Sequence, residues 1–353
     1  MTSQKARHSA PEAMLRIGAT MGVPKVLQDM GLDPSEVLLA GGFDPELFDN
    51  ADNVTSATAR GRLLAHCAAK SECEHFGLLA GAQIGLQSLG LVGLLMKHSP
   101  DVETALGNLV RYFHLHAHGV VLSLQVQGST ARMAYQIKHR IPRGSNHVYD
   151  GAIAVLFNIL RELCGKDWKA TEFWSTHTEP EDTKPFRQFF GVRPHFNAEQ
   201  NALVFNASWL THPLQQVDAG VHELIQQQMD ALAAQHSDNF PEQIRTVLYT
   251  AVLSGHANAN QIASLFSMHP RTLHRRLQPY GIGYQQLLDE TCFELAQQML
   301  IDSNHQVSEI ALILHYADAR SFIRAFRRWS GITPARWRAT QKQLRRTATA
   351  QAH

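Results

Sequence analysis

The sequence contains few cysteines and no arrangement that would pair them. Its 353 residues include only Cys67, Cys73, Cys164 and Cys292, and no two of these form a CxxC pattern. A structural zinc site of the usual kind is therefore not predicted, and we expect four reduced thiols. We predict neither a metal site nor a cofactor.

Long apolar segments are also absent. No stretch approaches the roughly 18 consecutive apolar residues that a membrane-spanning helix requires. Residues 1–10 are polar and lack the apolar centre of a signal peptide. We therefore expect a cytoplasmic protein without a membrane partner, which begins with a disordered tail.

Familiar catalytic patterns are missing as well. The Gly- and Leu-rich stretch from His75 to Met96 fits neither GxxxxGK[ST] nor GxGxxG, the two common phosphate-binding patterns. Close packing of helices through small residues is the favoured interpretation of this stretch. Because the sequence also lacks a nucleophile elbow and paired metal ligands, we predict no catalytic residues and no enzyme activity.

One group of imidazoles leaves metal binding open as an alternative. His114, His116 and His118 would share a face in an extended segment, which could suit a metal. In a helix they would spread around the axis, and no carboxylate or cysteine lies nearby in the sequence. A solvated or hydrogen-bonded segment is the favoured interpretation.

The dominant feature that is present is a repeated helical pattern from Ile262 to Trp337. Each copy has an Ile-Ala pair, followed ten or eleven residues later by two apolar residues with i, i+4 spacing. These residues are Ile262, Ala263, Leu273 and Leu277, and then Ile310, Ala311, Phe322 and Phe326. The small Ala lets the second helix approach the first closely, and the apolar pair fixes it. The repeat predicts two helix-turn-helix units, and hence double-stranded DNA as the partner.

The outward faces of both second helices carry polar and basic side chains. A helix turns by about 100° per residue, so when the apolar pair of each helix is buried, a second set of positions points away from the core. The candidate DNA-binding residues are Arg271, Thr272, His274, Arg275 and Gln278 in the first unit and Arg320, Ser321, Ile323, Arg324 and Arg327 in the second. Such side chains suit the major groove, although arginines that only keep a surface helix soluble are the alternative.

The segments around the repeat suit the same interpretation. Residues 284–301 have the apolar stripe of one long helix, which would hold the two units at a fixed separation on one side of a duplex. Residues 239–353 carry 12 Arg and 1 Lys against 7 acidic residues, a formal net charge of +6. The rest of the chain carries 19 basic and 24 acidic residues, a net charge of −5. A basic module joined to an acidic one is typical of a nucleic-acid-binding protein with a separate sensing domain.

The C-terminal pattern resembles the DNA-binding domain of the AraC/XylS family of bacterial transcription regulators. The residues that carry the resemblance are Ile310-Ala311, Asp318, Ser321-Phe322, Arg324 to Trp329, Gly331, Thr333-Pro334 and Trp337-Arg338. The resemblance implies that recognition helices 270–278 and 319–329 enter two successive major-groove segments. It also implies a homodimer and RNA polymerase as a partner.

Two positions depart from that family pattern. His315 stands where the family usually has Gly, and a left-handed backbone there would cost roughly 1 kcal/mol. His269 stands where the family favours Ser, so a capping hydroxyl is missing before Pro270. We expect both departures to affect local stability, and we predict that His315→Gly stabilises the domain.

The first two hundred residues predict an α+β domain. Helices are expected near residues 56–71, 99–114, 147–164 and 183–190, a β-hairpin over 120–138, and strands at 171–176 and 202–205. Ser99 and Pro100 are expected to start the second of these helices, with the Ser99 hydroxyl as its cap.

This half resembles the N-terminal regulatory domain of a subset of AraC-type regulators that includes regulators of ornithine use. Residues that carry this resemblance are Gly77 to Gly81, Leu89 to Gly93, Leu106, Tyr112 and the helix around Phe157. The resemblance implies a domain that senses a small-molecule effector or mediates self-association, and it identifies no effector-binding residues.

Together these patterns predict an α+β regulatory domain followed by an all-α domain with two helix-turn-helix units joined by a long helix. The expected segments are a tail (1–10), the regulatory domain (11–212), a helical linker (213–238), the DNA-binding domain (239–340) and a frayed tail (341–353). Two functions remain open. One is an effector-responsive regulator, and the other is a constitutive regulator whose N-terminal domain only dimerises.

Overall fold

The computed structural model describes most of the chain in two compact units. The described residues are 13–117, 119–138, 141–215, 217–235, 240–253, 255, 257–265, 268–302 and 305–350. The first unit ends at Met229 and the second begins at Asp230, with Trp174–Glu179 and His195–Asn201 grouped with the second. The expected N-terminal tail at 1–10 and His118 lie outside the described residues.

The described part of residues 13–211 mixes helices and strands, as the sequence predicted. Its helices are α1 (Val23–Asp29), α2 (Pro34–Ala40), α3 (Ala57–Lys70), α4 (Phe76–Ala82), α5 (Leu91–Lys97), α6 (Val102–His116), α7 (Ser145–Cys164) and α8 (Lys184–Phe190). The strands are β1 (Met14–Arg16), β2 (Val54–Ser56), β3 (Val120–Gln127), β4 (Thr130–Ile137), β5 (Glu172–Trp174), β6 (Pro194–His195) and β7 (Asn201–Asn206).

The strands form two sheets. β1 pairs antiparallel with β2, and the larger sheet has the order β3-β4-β7-β5-β6. β3 and β4 make the predicted hairpin, with Val120 opposite Ile137 and a turn at Gly128, whose φ of +58° suits glycine. The short strands β1, β2 and β6 were not predicted, because two or three residues give no readable alternation.

The Gly-rich stretch packs α4 against α7 backbone to backbone. A Cβ atom built on Gly77 would lie 2.2 Å from the carbonyl oxygen of His147, and one on Gly81 would lie 2.2 Å from that of Gly151. No side chain fits at either position. The predicted close packing through small residues is therefore confirmed.

The predicted start of α6 was wrong by two residues. Asp101, not Ser99, is the cap: its carboxylate accepts a hydrogen bond from the Thr104 N–H at 2.8 Å. Asp101 forms an antiparallel bridge with Pro213, which keeps the chain extended at this point and delays the helix. Ser99 is buried, and its hydroxyl donates to the Leu95 carbonyl at 2.9 Å.

The two described histidines of the cluster, His114 and His116, lie in a helix and not in an extended segment. They occupy the last turn of α6. Because they are two residues apart in a helix, their side chains point in different directions around its axis. In the described part of the chain, no group of three or more His, Cys, Asp and Glu side chains is arranged to hold a metal ion. None of the described helices is long and apolar enough to cross a membrane.

The four cysteines are free and buried. Burial raises the pKa of the Cys67, Cys164 and Cys292 thiols to about 12. These thiols are therefore protonated near neutral pH, and a protonated thiol is a poor nucleophile and metal ligand.

From residue 240 onward, the described chain contains helices and turns only. The helices after the first unit's strands are α9 (Ala219–Gln235), α10 (Phe240–Leu253), α11 (Ala259–Leu265), α12 (Pro270–Leu277), α13 (Tyr284–Asp302), α14 (Val307–Ile313), α15 (Ala319–Ser330) and α16 (Pro334–Ala350). α9 begins in the first unit and ends in the second. α16 continues to Ala350, past Thr340, where the sequence had suggested a frayed tail.

Candidate nucleic-acid interface

The first helix-turn-helix unit consists of α11 and α12 on a core that α10 and α13 complete. Leu273 and Leu277 of α12 are buried against Ile262 and Ala263 of α11, as the repeat predicted. The Tyr284 hydroxyl donates to the Ala257 carbonyl at 2.9 Å and ties the start of α13 to the loop before α11. The buried side of α12 is thereby fixed, and so is the side that faces outward.

A histidine replaces the expected hydroxyl at the start of α12. Nδ1 of His269 accepts a hydrogen bond from the Arg271 N–H at 3.2 Å, and Pro270 occupies the first helical position. A ring nitrogen therefore caps the helix where the sequence had predicted a missing cap. This role requires the tautomer in which Nδ1 carries no proton.

The predicted residues of α12 lie on its outward side. Arg271, His274, Arg275 and Gln278 are exposed and Thr272 is half-buried. α12 ends at Leu277, and Gln278 begins a short 3₁₀ turn, one residue before the predicted end of the helix.

Arg276 differs from the other arginines of α12. Its guanidinium lies over the Phe240 ring, 4.0 Å from the ring centre. This cation–π contact holds the side chain against α10. Arg276 therefore serves as a matched comparison for Arg271 and Arg275 on the same helix.

The second helix-turn-helix unit has an aromatic core. Phe322 and Phe326 of α15 are buried, together with Ile310 and Ala311 of α14. Rings that pack against Phe322 or Phe326 belong to Phe293, Tyr316 and Trp337. The second copy of the repeat thus buries its predicted apolar pair in the same way as the first.

The turn between α14 and α15 contains the predicted left-handed residue. His315 has a φ of +56°, and the Tyr316 N–H donates to the Ala311 carbonyl at 2.9 Å, which closes a Schellman motif. Nε2 of His315 also lies 3.3 Å from the carbonyl oxygen of Leu253 at the end of α10. The imidazole therefore makes a contact that a glycine at this position could not make.

The start of α15 is fixed by Asp318. Its carboxylate accepts a hydrogen bond from the Ser321 N–H at 2.6 Å, and this bond holds the pKa of Asp318 below its usual value. The Ser321 hydroxyl accepts a hydrogen bond from Arg324 at 3.2 Å. The cap fixes the start of α15, and this bond holds the Arg324 side chain one turn further along its exposed side.

The predicted residues of α15 also lie on its outward side. Arg320, Arg324 and Arg327 are exposed, whereas Ser321 and Ile323 are half-buried. Their neighbour Arg328 is different, because it forms an ion pair with Asp289 of α13 at 2.7 Å. Arg338 of α16 is half-buried and also makes contacts within the unit: it donates to the carbonyls of Leu300 and His305 at 2.7 and 2.6 Å.

Acidic groups of α13 pair with neighbouring helices. Glu290 forms an ion pair with Arg245 of α10 at 2.7 Å, and Glu294 accepts a hydrogen bond from the Tyr249 hydroxyl. With Asp289 bound to Arg328, this part of α13 has its carboxylates engaged within the unit. The exposed sides of α12 and α15 keep their arginines, which leaves positive charge on both surfaces.

Two protein families match this chain. Residues 31–214 match the arabinose-binding domain of AraC transcription regulator, N-terminal, and residues 262–340 match a helix-turn-helix domain. The second match begins within α11 and covers the rest of the first helix-turn-helix unit and all of the second.

Similar proteins extend over nearly the whole chain. The HTH-type transcriptional regulator VirS of Mycobacterium tuberculosis is 24% identical over 331 residues, which cover 93% of this chain and 97% of VirS. The ornithine utilization regulator of Pseudomonas aeruginosa is 24% identical over 317 residues, 89% of this chain and 93% of that protein. Among solved structures, the transcriptional regulator CdpR from Pseudomonas aeruginosa aligns over 74% of this chain and 86% of its own, with 18% identity and a TM-score of 0.40.

Proposed function

The chain belongs to the AraC family of transcription regulators and is a DNA-binding transcriptional regulator, and on this premise we propose that it recognises a specific DNA sequence in response to a small-molecule effector. In this proposal α12 and α15 each enter one of two successive major-groove segments. The side chains that contact DNA are Arg271, Thr272, His274, Arg275, Gln278, Arg320, Ser321, Ile323, Arg324 and Arg327.

The proposal that α12 and α15 contact DNA is supported by a difference between two groups of arginines on these helices. Arg276 and Arg328 are also exposed, but their guanidiniums contact Phe240 and Asp289, whereas the arginines of the predicted set lie on the outward sides of the same two helices. Arginines that served only for solubility would not need this separation. An outward set on each of two similarly built units is what sequence reading in the major groove requires.

Selection of bound sites from random duplexes, with the full-length protein, tests the DNA part of the proposal. We expect a site with two conserved blocks whose centres are about one helical turn, 10–10.5 base pairs, apart. A selected site with one block only would overturn the two-groove arrangement. Binding without any sequence preference over bulk competitor DNA would overturn sequence-specific recognition as a whole.

Regulation by an effector is proposed because the first unit contains a cavity lined mainly by apolar residues with a few buried polar groups. This combination is typical of small-molecule sites. A constitutive regulator with a purely dimerising N-terminal domain would not need such a cavity.

We also propose two protein partners. Family membership favours a homodimer and a contact with RNA polymerase. Sedimentation of the purified protein at micromolar concentration tests the first, and transcription with purified polymerase from a promoter that carries the selected site tests the second. A monomer in the DNA complex, or an unchanged transcript level, would overturn the respective proposal.

A further inference from the structure

The cavity in the first unit lies between α3, α4, α6, α7, β1 and the β3-β4 hairpin. Apolar side chains make up most of its wall, among them Leu64, Leu109, Phe113, Leu122 and Leu156. The cavity encloses about 700 Å³ of space when its open mouth is included, and about 50 Å³ of this accepts the centre of a water molecule. This inner space holds a few water molecules, at roughly 10–15 Å³ each. A ligand of more than a few non-hydrogen atoms therefore extends from this inner space towards the open mouth.

A buried cation lines this apolar cavity. Arg60 of α3 is 4% exposed, and its Nη2 donates a hydrogen bond to the Arg16 carbonyl. Its Nε has no hydrogen-bond partner among the described residues. Burial lowers the pKa of Arg60 to about 10, so the guanidinium remains charged at neutral pH. A buried charge without an ion-pair partner is costly, and an anion in the cavity would supply that partner.

An imidazole and a phenol line the same cavity. His116 of α6 is 8% exposed, and its Nδ1 has no hydrogen-bond partner among the described residues. Burial and the charges of Arg16 and Arg60 lower the pKa of His116 to about 4, so that the ring is neutral at pH 7. Tyr135 of β4 is 7% exposed and keeps its proton, since burial raises its pKa to about 12. Both groups are therefore available as neutral hydrogen-bond donors.

The lining also restricts the charge that a ligand can carry. No described Asp or Glu side chain lines the cavity. The acid whose charge acts on His116 is Asp52, which is exposed and forms an ion pair with Arg16 at 2.8 Å. An ammonium group inside the cavity would have no counter-ion, and it would meet the guanidinium of Arg60 instead. Amines and zwitterionic amino acids are therefore disfavoured.

From these observations we propose that the cavity binds a compact monocarboxylate with an apolar body, whose carboxylate pairs with Arg60 and accepts a hydrogen bond from His116. The apolar body lies against Leu64, Leu109 and Leu156. This inference rests on the proposed effector-responsive function and names the chemical class of the effector. Arg16 also lines the cavity, but its guanidinium is paired with Asp52, so the Arg60 guanidinium is the one that matches a single negative charge on an otherwise uncharged molecule.

Matched sets of small compounds test the ligand class with the full-length protein. Hexanoate, octanoate and phenylacetate are compared with their primary amides, with hexylamine and with 2-aminohexanoate, by isothermal titration calorimetry at pH 7. We expect at least one acid to bind, and to bind at least about ten-fold more tightly than its amide, because the charge-assisted hydrogen bonds are lost in the amide. The amine and the amino acid are expected to bind more weakly still.

Three variants assign the binding to the cavity. Arg60→Met keeps the length of the side chain and removes the charge, and it is expected to weaken acid binding at least about ten-fold while amide binding stays within about two-fold. Arg60→Lys keeps the charge and is expected to restore part of the loss. Arg62→Met, at an exposed position of the same helix, is the matched control and should bind the acid like the unaltered protein. Equal acid binding in Arg60→Met and Arg62→Met, with both variants folded, would overturn the proposal.

Titration of labelled operator DNA with and without ligand distinguishes the carboxylate proposal from the proposal that an effector regulates DNA binding. Acid binding that also changes DNA affinity supports both. Acid binding at Arg60 without any change in DNA affinity or transcript level supports the ligand class and overturns effector regulation by it. If the amides or amines bind more tightly than the acids and change DNA affinity, regulation stands and the carboxylate proposal is overturned. If none of these compounds binds at millimolar concentration, the carboxylate proposal is overturned.

Discussion

Nδ2 of Asn108 lies 3.3 Å from Nε2 of His222, and this contact joins α6, which lines the cavity, to α9. The same amide nitrogen donates to the buried Ser99 hydroxyl at 3.2 Å, so its position is fixed from both sides. α9 continues from here into the second unit. The contact is therefore suited to couple a change at His116, two turns further along α6, to the helix that leads to the DNA-binding domain.

We predict that His222→Leu weakens this coupling. Ligand affinity in the cavity is expected to change by less than about two-fold, because His222 does not line it. The ligand-induced change in DNA affinity should fall several-fold, since couplings of this kind amount to roughly 1–3 kcal/mol. DNA titrations with and without ligand measure this. A Glu223→Leu variant, at the exposed position beside His222, is the control. An unchanged coupling in His222→Leu would show that the contact between Asn108 and His222 does not transmit the effect of the ligand.

We predict that Arg324→Ala lowers the affinity for the selected site by roughly 1–3 kcal/mol if Arg324 makes a bidentate contact to guanine. The loss should be concentrated at one base pair, which binding to a set of single-base variants of the site would show. Arg328→Ala is the matched control, since Arg328 is paired with Asp289 and should alter stability more than base preference. A uniform loss over unrelated sequences would assign Arg324 to a phosphate instead.

The His315→Gly substitution is predicted to stabilise the protein by less than about 1 kcal/mol. Relief of the left-handed backbone is worth roughly 1 kcal/mol, but the contact of His315 with the Leu253 carbonyl is lost and a glycine adds entropy to the unfolded chain. His315→Ala loses the contact and keeps the strain, so it should be the least stable of the three. Denaturant unfolding gives the order, and an alanine variant as stable as the glycine variant would contradict the backbone argument.

We predict that the free energy of unfolding depends on pH through His116. Its pKa in the folded protein is about 4, below the ordinary value of 6.5, so between these values the unfolded chain binds more protons than the folded one. Stability due to neutral His116 is therefore present above about pH 6.5 and falls as the pH drops towards 4, by roughly 2–3 kcal/mol. The charged groups that act on the ring are Arg16, Arg60 and Asp52, and the Tyr135 phenol lines the same cavity.

Urea unfolding between pH 4 and 7 measures that dependence. His116→Leu should show a shallower decline than the unaltered protein, because the group that takes up the proton on unfolding has been removed. His195→Leu, at an exposed position, is the control for the loss of a histidine in general. Equal slopes for both variants would show that other groups cause the acid sensitivity.

The sequence predicted the elements whose signals are local. Asp318 before Ala319 and the Phe322–Phe326 pair define the start and the buried side of α15 within eight residues, and the outward arginines follow from helical periodicity. The start of α6 was wrong because its determinant, the bridge between Asp101 and Pro213, joins residues more than a hundred positions apart. Local capping preferences contain no information about such pairing.

The cavity was also missed, although one signal was present. Arg60 precedes Leu63, Leu64 and Cys67 by three, four and seven residues, which places a cation on the buried side of a helix. A buried arginine in an apolar stripe is a reason to look for an anion. Its partners from other elements, His116 and Tyr135, come together only in the folded chain, so the composition of the site could not be predicted.

The glycine contact between α4 and α7 determines where specificity for a ligand's size can change. Gly77, Gly81 and Gly151 line the cavity where two backbones already touch, and any larger residue there would force the helices apart. Substitutions that change the size of the cavity are therefore expected at Leu109 and Phe113 of α6 and at Leu122 of β3, which line it with side chains. The glycine-lined wall of the cavity is thus fixed by helix packing, whereas the wall made of larger side chains can vary.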